Sequence, residues 1–146
     1  ERIELACPPL IHRLVGRPYA ATMTPAYARL CLPFLAALML IDGTIDPRRF
    51  TPEGFADPAL AALAAKVSLV PDGNEDLNAL FPQCLTVVLE GGERIIRPIA
   101  ATLGSPDNPL SPNQAAAKLA LCRAIAPAGA SPQIFDDPLA YFTGTP

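Results

Sequence analysis

Residues 85–99 read Leu85-Thr-Val-Val-Leu89, Glu90-Gly-Gly-Glu93 and Arg94-Ile-Ile-Arg-Pro-Ile99. Two β-rich runs flank Gly91-Gly92, and this pattern predicts a β-hairpin because glycine tolerates the backbone angles of a tight turn. Pro98 has no N–H to donate to a sheet ladder, so the second strand should lie at a sheet edge or end there. The hairpin therefore predicts a sheet with antiparallel strands.

Helix starts surround this hairpin. Proline follows a capping residue in Thr24-Pro25, Asp46-Pro47, Thr51-Pro52, Asp57-Pro58 and Ser111-Pro112. Each pair suits a helix start because the side-chain oxygen accepts a first-turn N–H and proline has no N–H to leave unpaired. The last pair opens the capping box Ser111-Pro-Asn-Gln114, before an alanine-rich run that should end near Ile125.

Two further strands complete the fold prediction. Ile3, Leu5 and Cys7 alternate with polar or small residues, and Lys66-Val-Ser-Leu-Val70 follows the helix that Asp57 begins. A hairpin mixed with helices, without a regular βαβ rhythm, predicts an α+β two-layer sandwich, with a small antiparallel or mixed sheet packed against helices. We assign residues 1–125 to this domain and residues 126–146, rich in Pro, Gly and Ala, to a loosely structured C-terminal tail.

The central helix, residues 33–41, is apolar on every face. Such a helix must be enclosed by protein, which one small domain with a single sheet can hardly provide. We therefore expect part of it to face another domain or subunit. Pro33 is either a first-turn residue or the site of a kink.

Composition excludes several classes of protein. The chain has 146 residues, is 51% hydrophobic and 17% charged, and carries a net charge of −3. This predicts a folded domain without a nucleic-acid or membrane partner. The longest apolar stretch, residues 30–41, is shorter than the roughly 20 residues of a membrane span. No secretory signal is visible, so we expect a cytoplasmic protein, and the missing initiator Met suggests an excised piece.

Few residues suggest chemistry. The four cysteines (Cys7, Cys31, Cys84 and Cys122) lack C-x-x-C spacing and a nearby His pair, so we predict reduced thiols and no metal site. The single histidine, His12, lies close to Arg13 and Arg17, and this cationic group could hold a carboxylate. The alternative is a structural histidine in a solvated loop. With one histidine, no Ser-His-Asp set can be drawn, which argues against a self-contained enzyme.

Several stretches, in this order, resemble the MmgE/PrpD family of 2-methylcitrate dehydratase-like proteins. They are Val15-Gly-Arg-Pro18, Ala28-Arg-Leu-Cys-Leu-Pro-Phe-Leu-Ala-Ala-Leu-Met-Leu-Ile-Asp-Gly43, Phe55-x-Asp57-Pro58, the hairpin, Gly104-x-x-x-Asn108-Pro-Leu-Ser111 and Lys118-Leu119. No single motif is specific, and the resemblance depends on their order and spacing. It identifies the chain as similar to the smaller, C-terminal α+β domain of that family.

The resemblance implies a longer protein, in which a helical domain precedes this one, usually in a homodimer. It implies an enzyme, a hydro-lyase, decarboxylase or epimerase, that abstracts a proton next to a carboxylate of a small polycarboxylate, without metal or organic cofactor. This chain would complete the inter-domain cleft and be inactive alone. The alternative is a non-catalytic binding or dimerisation module from an inactive homologue.

The family's tyrosine in its Ser-x-Pro-Tyr segment is implied to reach the cleft, and most of the histidine and lysine machinery lies upstream. Here Phe34 replaces the tyrosine and Cys31 replaces the serine. Because phenylalanine has no hydroxyl, we assign no catalytic residue. The candidates for the substrate cleft are Arg17, Cys31, Phe34, His12 and Arg13.

Overall fold

The structure is a computed structural model that describes residues 1–144. The chain divides into two compact units, residues 1–102 and the residues from 103 onward, and each is described by itself. Among residues 1–144, no helix is both long enough and apolar enough to cross a membrane.

The sheet of the first unit has four strands. They are β1 (Arg2–Cys7), β2 (Val67–Pro71), β3 (Gln83–Val88) and β4 (Arg94–Ile99), in the spatial order β2-β1-β3-β4. β1 pairs in parallel with β2 and antiparallel with β3, and β3 pairs antiparallel with β4. The predicted hairpin, the mixed sheet and the edge position of the Pro98 strand are confirmed. Gly92, at φ 81°, adopts the left-handed backbone that its turn requires.

Short helices fill the rest of the first unit. They are α1 (Pro9–Val15), α2 (Pro25–Ala28), α3 (Leu32–Asp42), α4 (Pro52–Phe55) and α5 (Pro58–Ala64), with a 3-10 turn at Pro47–Arg49. The predicted caps are in place: Thr24, Asp46, Thr51 and Asp57 each accept a first-turn N–H. Pro33 lies in the first turn of α3 and does not kink the helix.

His12 and Arg13 lie on helix α1, and not in the solvated loop that the sequence left open as an alternative. Pro9 occupies the first turn of α1, where the missing N–H costs nothing. The preceding residue, Pro8, makes no side-chain capping hydrogen bond. The start of α1 therefore lacks the kind of capping residue that predicted α2, α4, α5 and α6.

The second unit contains three helices in its described part, α6 (Pro112–Ile125), α7 (Gln133–Asp136) and α8 (Pro138–Thr143). The capping box is confirmed: the Gln114 N–H donates to Ser111 Oγ at 3.3 Å, and the Ser111 N–H donates to Gln114 Oε1 at 2.9 Å. Helices α7 and α8 lie in the segment for which composition predicted loose structure. Asp137 Oδ1 accepts the Ala140 N–H at 3.0 Å and caps α8.

The core of the first unit lies among the helices and on one face of the sheet. Alternate residues of β1 are buried, and Ile3 pairs with buried Val67 of the neighbouring strand. Helix α3 packs against α5 and β2. The buried residues of the helical core are Met23, Ala28, Cys31, Phe34, Ala37, Leu38, Phe55, Leu60 and Ala64. Sheet and helices thus form the predicted two-layer α+β arrangement.

A polar clasp of Arg49, Asp42 and Asp57 joins the end of α3 to the start of α5. Arg49 Nε lies 3.0 Å from Asp42 Oδ2, and an Arg49 terminal nitrogen lies 3.1 Å from Asp57 Oδ2. Asp42 ends α3 and Asp57 caps α5, so one guanidinium holds both. The pKa of Asp57 is lowered by the Ala59 and Leu60 N–H groups and by Arg49.

Candidate functional site

A concavity of about 310 Å³ opens where β1 and β2 end. The two strands are parallel, so their carboxyl ends meet at the same edge of the sheet. Four lining residues come from the β1–α1 segment, Cys7, Pro9, His12 and Arg13, and four from the end of β2 and its following loop, Pro71, Asp72, Gly73 and Asn74. In open α/β sheets, ligands bind outside the carboxyl ends of strands.

The loop after β2 is shaped by consecutive side-chain turns. Asp72 Oδ1 accepts the Asn74 N–H at 2.9 Å, and Asn74 Oδ1 accepts the Asp76 N–H at 2.9 Å. These Asx turns fold the loop locally. Arg13 donates to the Leu77 carbonyl oxygen at 2.9 Å, which ties the loop to α1. These hydrogen bonds hold the loop after β2 in shape and join it to α1, and both segments line the concavity.

Opposite charges line this concavity. Arg13 carries a formal positive charge and Asp72 a formal negative charge. Among the ion pairs of residues 1–144, none involves either side chain. Cys7 is fully buried, and burial followed by the charge of Asp72 raises the pKa of its thiol. Cys7 is thus a neutral thiol at physiological pH.

Arg17 is held elsewhere. Its guanidinium carbon lies 5.1 Å from the centroid of the Tyr27 ring, a cation–π contact. The Tyr27 hydroxyl donates to the Pro18 carbonyl oxygen at 2.9 Å. Arg17 therefore belongs to the connection before α2 and does not line the concavity at β1 and β2.

Phe34 and Cys31 are fully buried in the helical core. The Phe34 ring meets the rings of Phe50 and Phe55 edge-on, with both centroid separations at 5.5 Å. Cys31 precedes the first turn of α3, and burial is the largest cause that raises the pKa of its thiol. Phe34 and Cys31 are therefore part of the packed core of this unit.

With the fold and these positions established, comparison with family models decides the family. The model of the MmgE/PrpD C-terminal domain matches residues 1–132. The chain belongs to the MmgE/PrpD family. Because the matched model is that of the C-terminal domain, it implies an upstream domain as a partner in the same protein. A search of curated proteins found no match.

Within this MmgE/PrpD domain, the structure brings together two of the five sequence candidates. His12 and Arg13 line one concavity, Arg17 stacks on Tyr27, and Cys31 with Phe34 lies in the core. Phe34, which the sequence resemblance sets in place of the family's tyrosine, lies in the interior. Within residues 1–144, no group of three or more His, Cys, Asp or Glu side chains could hold a metal ion.

Sequence reasoning missed Asp72 and Asn74 as neighbours of His12. They lie about sixty residues downstream and reach the concavity only because β2 pairs with β1 in parallel. The alternating pattern of each strand predicts the strand and not its partner. The available signal was the turn sequence Asp72-Gly-Asn74 directly after an apolar strand.

Proposed function

We propose that this MmgE/PrpD domain completes the inter-domain cleft of an enzyme acting on a small polycarboxylate. The reaction is proton abstraction next to a carboxylate, followed by loss of water or carbon dioxide, or by reprotonation as in an epimerase. The enzyme is cytoplasmic and a homodimer, and the chain does not turn over substrate alone.

The observation that carries this proposal is the exposed apolar end of α3. Met39, Leu40 and Ile41 are successive residues with 47%, 59% and 45% of their surface exposed. Leu40 also lines an apolar concavity of about 250 Å³ with Leu63, Val87 and Leu89. An exposed Leu40 beside this concavity favours an interaction site, because burial of apolar side chains removes hydrocarbon from water.

Family membership gives this surface an occupant. A C-terminal domain has an upstream domain in the same protein, and inter-domain interfaces cover apolar patches of moderate size. The sequence has one histidine, and Cys7 and Cys31 are held as neutral thiols by burial. Both facts support a domain that works with its neighbour.

The test compares the chain alone with a protein that adds the upstream region of its reading frame. Proton NMR in deuterated water would follow deuterium exchange or water loss with 2-methylcitrate, citrate and cis-aconitate. We expect turnover in the longer protein only. Turnover by the 146-residue chain alone would overturn the proposal.

A matched pair of variants tests the surface itself. Leu40→Glu in the longer protein should lower turnover, because a charge at the interface is costly to desolvate. Ile96→Glu is the control, since Ile96 is 51% exposed on edge strand β4. An equal loss of turnover in both variants would mean that the end of α3 has no specific role in assembly.

One observation favours an alternative, a binding or dimerisation module from an inactive homologue. Phe34 has no hydroxyl, and its ring is enclosed by Phe50 and Phe55. The alternative predicts a dimeric longer protein, measured by light scattering, that has no turnover with any of the three acids. Turnover with one of them would exclude it.

A further inference from the structure

We propose that the concavity at the carboxyl ends of β1 and β2 binds a small zwitterion of the α-amino acid class. The site is built from the side chains of His12, Arg13, Asp72 and Asn74 over a floor that includes Cys7. It is independent of the apolar end of α3 and goes beyond the cleft-completing role proposed above.

The charges of the site select the ligand class. Arg13 on α1 and Asp72 after β2 line the same space without an ion pair to any other described side chain. A carboxylate matches the planar donor fork of an arginine, and an ammonium group matches an aspartate. Both side chains are exposed to water, so a ligand with only one charge would gain only one of the two charge pairings. An amino acid carries both.

Arg13 and Asp72 each have hydrogen-bonding capacity left for a ligand. Arg13 uses one terminal nitrogen on the Leu77 carbonyl oxygen, and a guanidinium has five N–H donors in all. Asp72 uses Oδ1 for the Asn74 N–H, and a carboxylate offers about four acceptor sites. Both groups are therefore fixed in place by one contact and keep capacity for a ligand.

The volume and the lining of the concavity limit the size and the polarity of the ligand's side chain. A volume of about 310 Å³ lies at the lower end of the range of small-molecule pockets, about 300–1,000 Å³. Pro9, Pro71 and the neutral thiol of Cys7 supply an apolar part of the lining. Such a lining favours a short hydrocarbon side chain over a charged one. Valine is therefore a suitable probe.

Position separates this site from the surface assigned to domain docking. The concavity that contains Leu40 is lined by Glu1, Arg2 and Ile3, at the beginning of β1. The site proposed here begins at Cys7, where β1 ends. Failure of one proposal therefore leaves the other standing, and the two are tested by different measurements.

The test uses three probes of matched shape on the 146-residue chain. L-Valine carries both charges, isovalerate lacks the amino group, and isobutylamine lacks the carboxylate. Because His12 is the one histidine of the chain, its Cε1 proton gives a single reporter in proton NMR. We expect saturable shifts of this proton and of the 72–74 amides with valine, and binding about tenfold weaker for each single-charge probe.

Three variants locate the charges. Arg13→Met and Asp72→Asn should each weaken valine binding about tenfold, and asparagine keeps the side-chain oxygen that accepts the Asn74 N–H. Arg17→Met is the matched control and should bind within about twofold of wild type, since Arg17 lies on Tyr27. Amide spectra would confirm that each variant is folded. If Arg13→Met does not fold, the result for Asp72→Asn decides the test.

The outcomes separate clearly. Equal binding of isovalerate and valine would show a plain anion site and overturn the zwitterion. Shifts that never saturate, or an Arg17→Met effect as large as that of Arg13→Met, would show only diffuse charge attraction. Any of these three results ends the proposal, whereas a loss of binding confined to the Arg13 and Asp72 variants supports it.

Discussion

The two halves of α3 have similar apolar sequences and different environments. The first half is enclosed: Pro33, Phe34, Ala37 and Leu38 are buried. The second half is open, with Met39, Leu40 and Ile41 all exposed by more than two-fifths. Phe50 and Phe55 pack against Phe34, at the beginning of the helix. The apolar composition of α3 thus predicts that the helix must be buried, but it does not predict which of its residues this chain buries.

The largest effect should come from removing the enclosed ring. Phe34→Ala leaves a cavity between Phe50 and Phe55, and such truncations cost about 3–5 kcal/mol. Urea unfolding of the 146-residue chain measures the loss in the free energy of unfolding. Leu40→Ala is the matched control in the same helix and should change it by less than about 0.5 kcal/mol. Similar losses in both variants would remove the distinction between the halves.

A smaller effect should follow from adding a hydroxyl at the same place. Phe34→Tyr introduces the tyrosine that the sequence resemblance expects there, but it brings a polar group into an aromatic cluster of the core. A buried hydroxyl without a partner costs about 1–3 kcal/mol. Unfolding in urea should show this loss in the isolated chain. An unchanged free energy of unfolding would mean that the hydroxyl finds a partner or water.

The open half ends in the polar clasp of Arg49, and acid should loosen it. Asp57 has a lowered pKa in the folded chain, first through the Ala59 and Leu60 N–H groups and then through Arg49. A lowered pKa stabilises the fold above the unfolded value, about 3.9, and this contribution is lost as pH falls through the folded pKa. The melting temperature should therefore fall with pH below that value.

Asp57→Asn isolates this contribution, since asparagine still offers an oxygen to the Ala59 N–H, which Asp57 Oδ1 accepts at 2.9 Å. The variant should melt below wild type at neutral pH and lose less on acidification. Glu53→Gln removes a carboxylate from α4 and is the control, which should keep the acid loss of wild type. A variant that follows wild type at every pH would assign the acid loss to other carboxylates.

Local chemistry in the sequence predicted much of this fold. The hairpin follows from Gly91-Gly92 between β-rich runs, and the capped helices follow from a capping residue before proline, as at Asp57. Helix α1 was missed because Pro8 has no capping side chain. The hairpin and the capped helices depend on residues that are neighbours in the chain, which is why the sequence could predict them.

The candidate site was predictable only on one side. His12 and Arg13 are adjacent in sequence, whereas Asp72 joins them through the pairing of β1 with β2. Likewise, nothing in the uniform apolar run of α3 distinguishes Phe34 from Leu40, since the difference arises from Phe50 and Phe55. Contacts between distant segments determine both, and strand patterns do not reveal pairing partners.

The smallest effect on stability should come from Leu40→Gln, at the most exposed position of the open half. Leu40 is 59% exposed, so the substitution removes little hydrocarbon contact within the chain, and the free energy of unfolding should change by less than about 0.5 kcal/mol.

The effect of Leu40→Gln should instead appear in association between chains. Met39, Leu40 and Ile41 are exposed in this chain, so we expect light scattering to show self-association of the wild-type chain that glutamine at position 40 reduces. Ile96→Gln, at an exposed apolar position on β4, is the control. If Leu40→Gln unfolds as readily as Phe34→Ala, then the second half of α3 is held by this chain alone and needs no further cover.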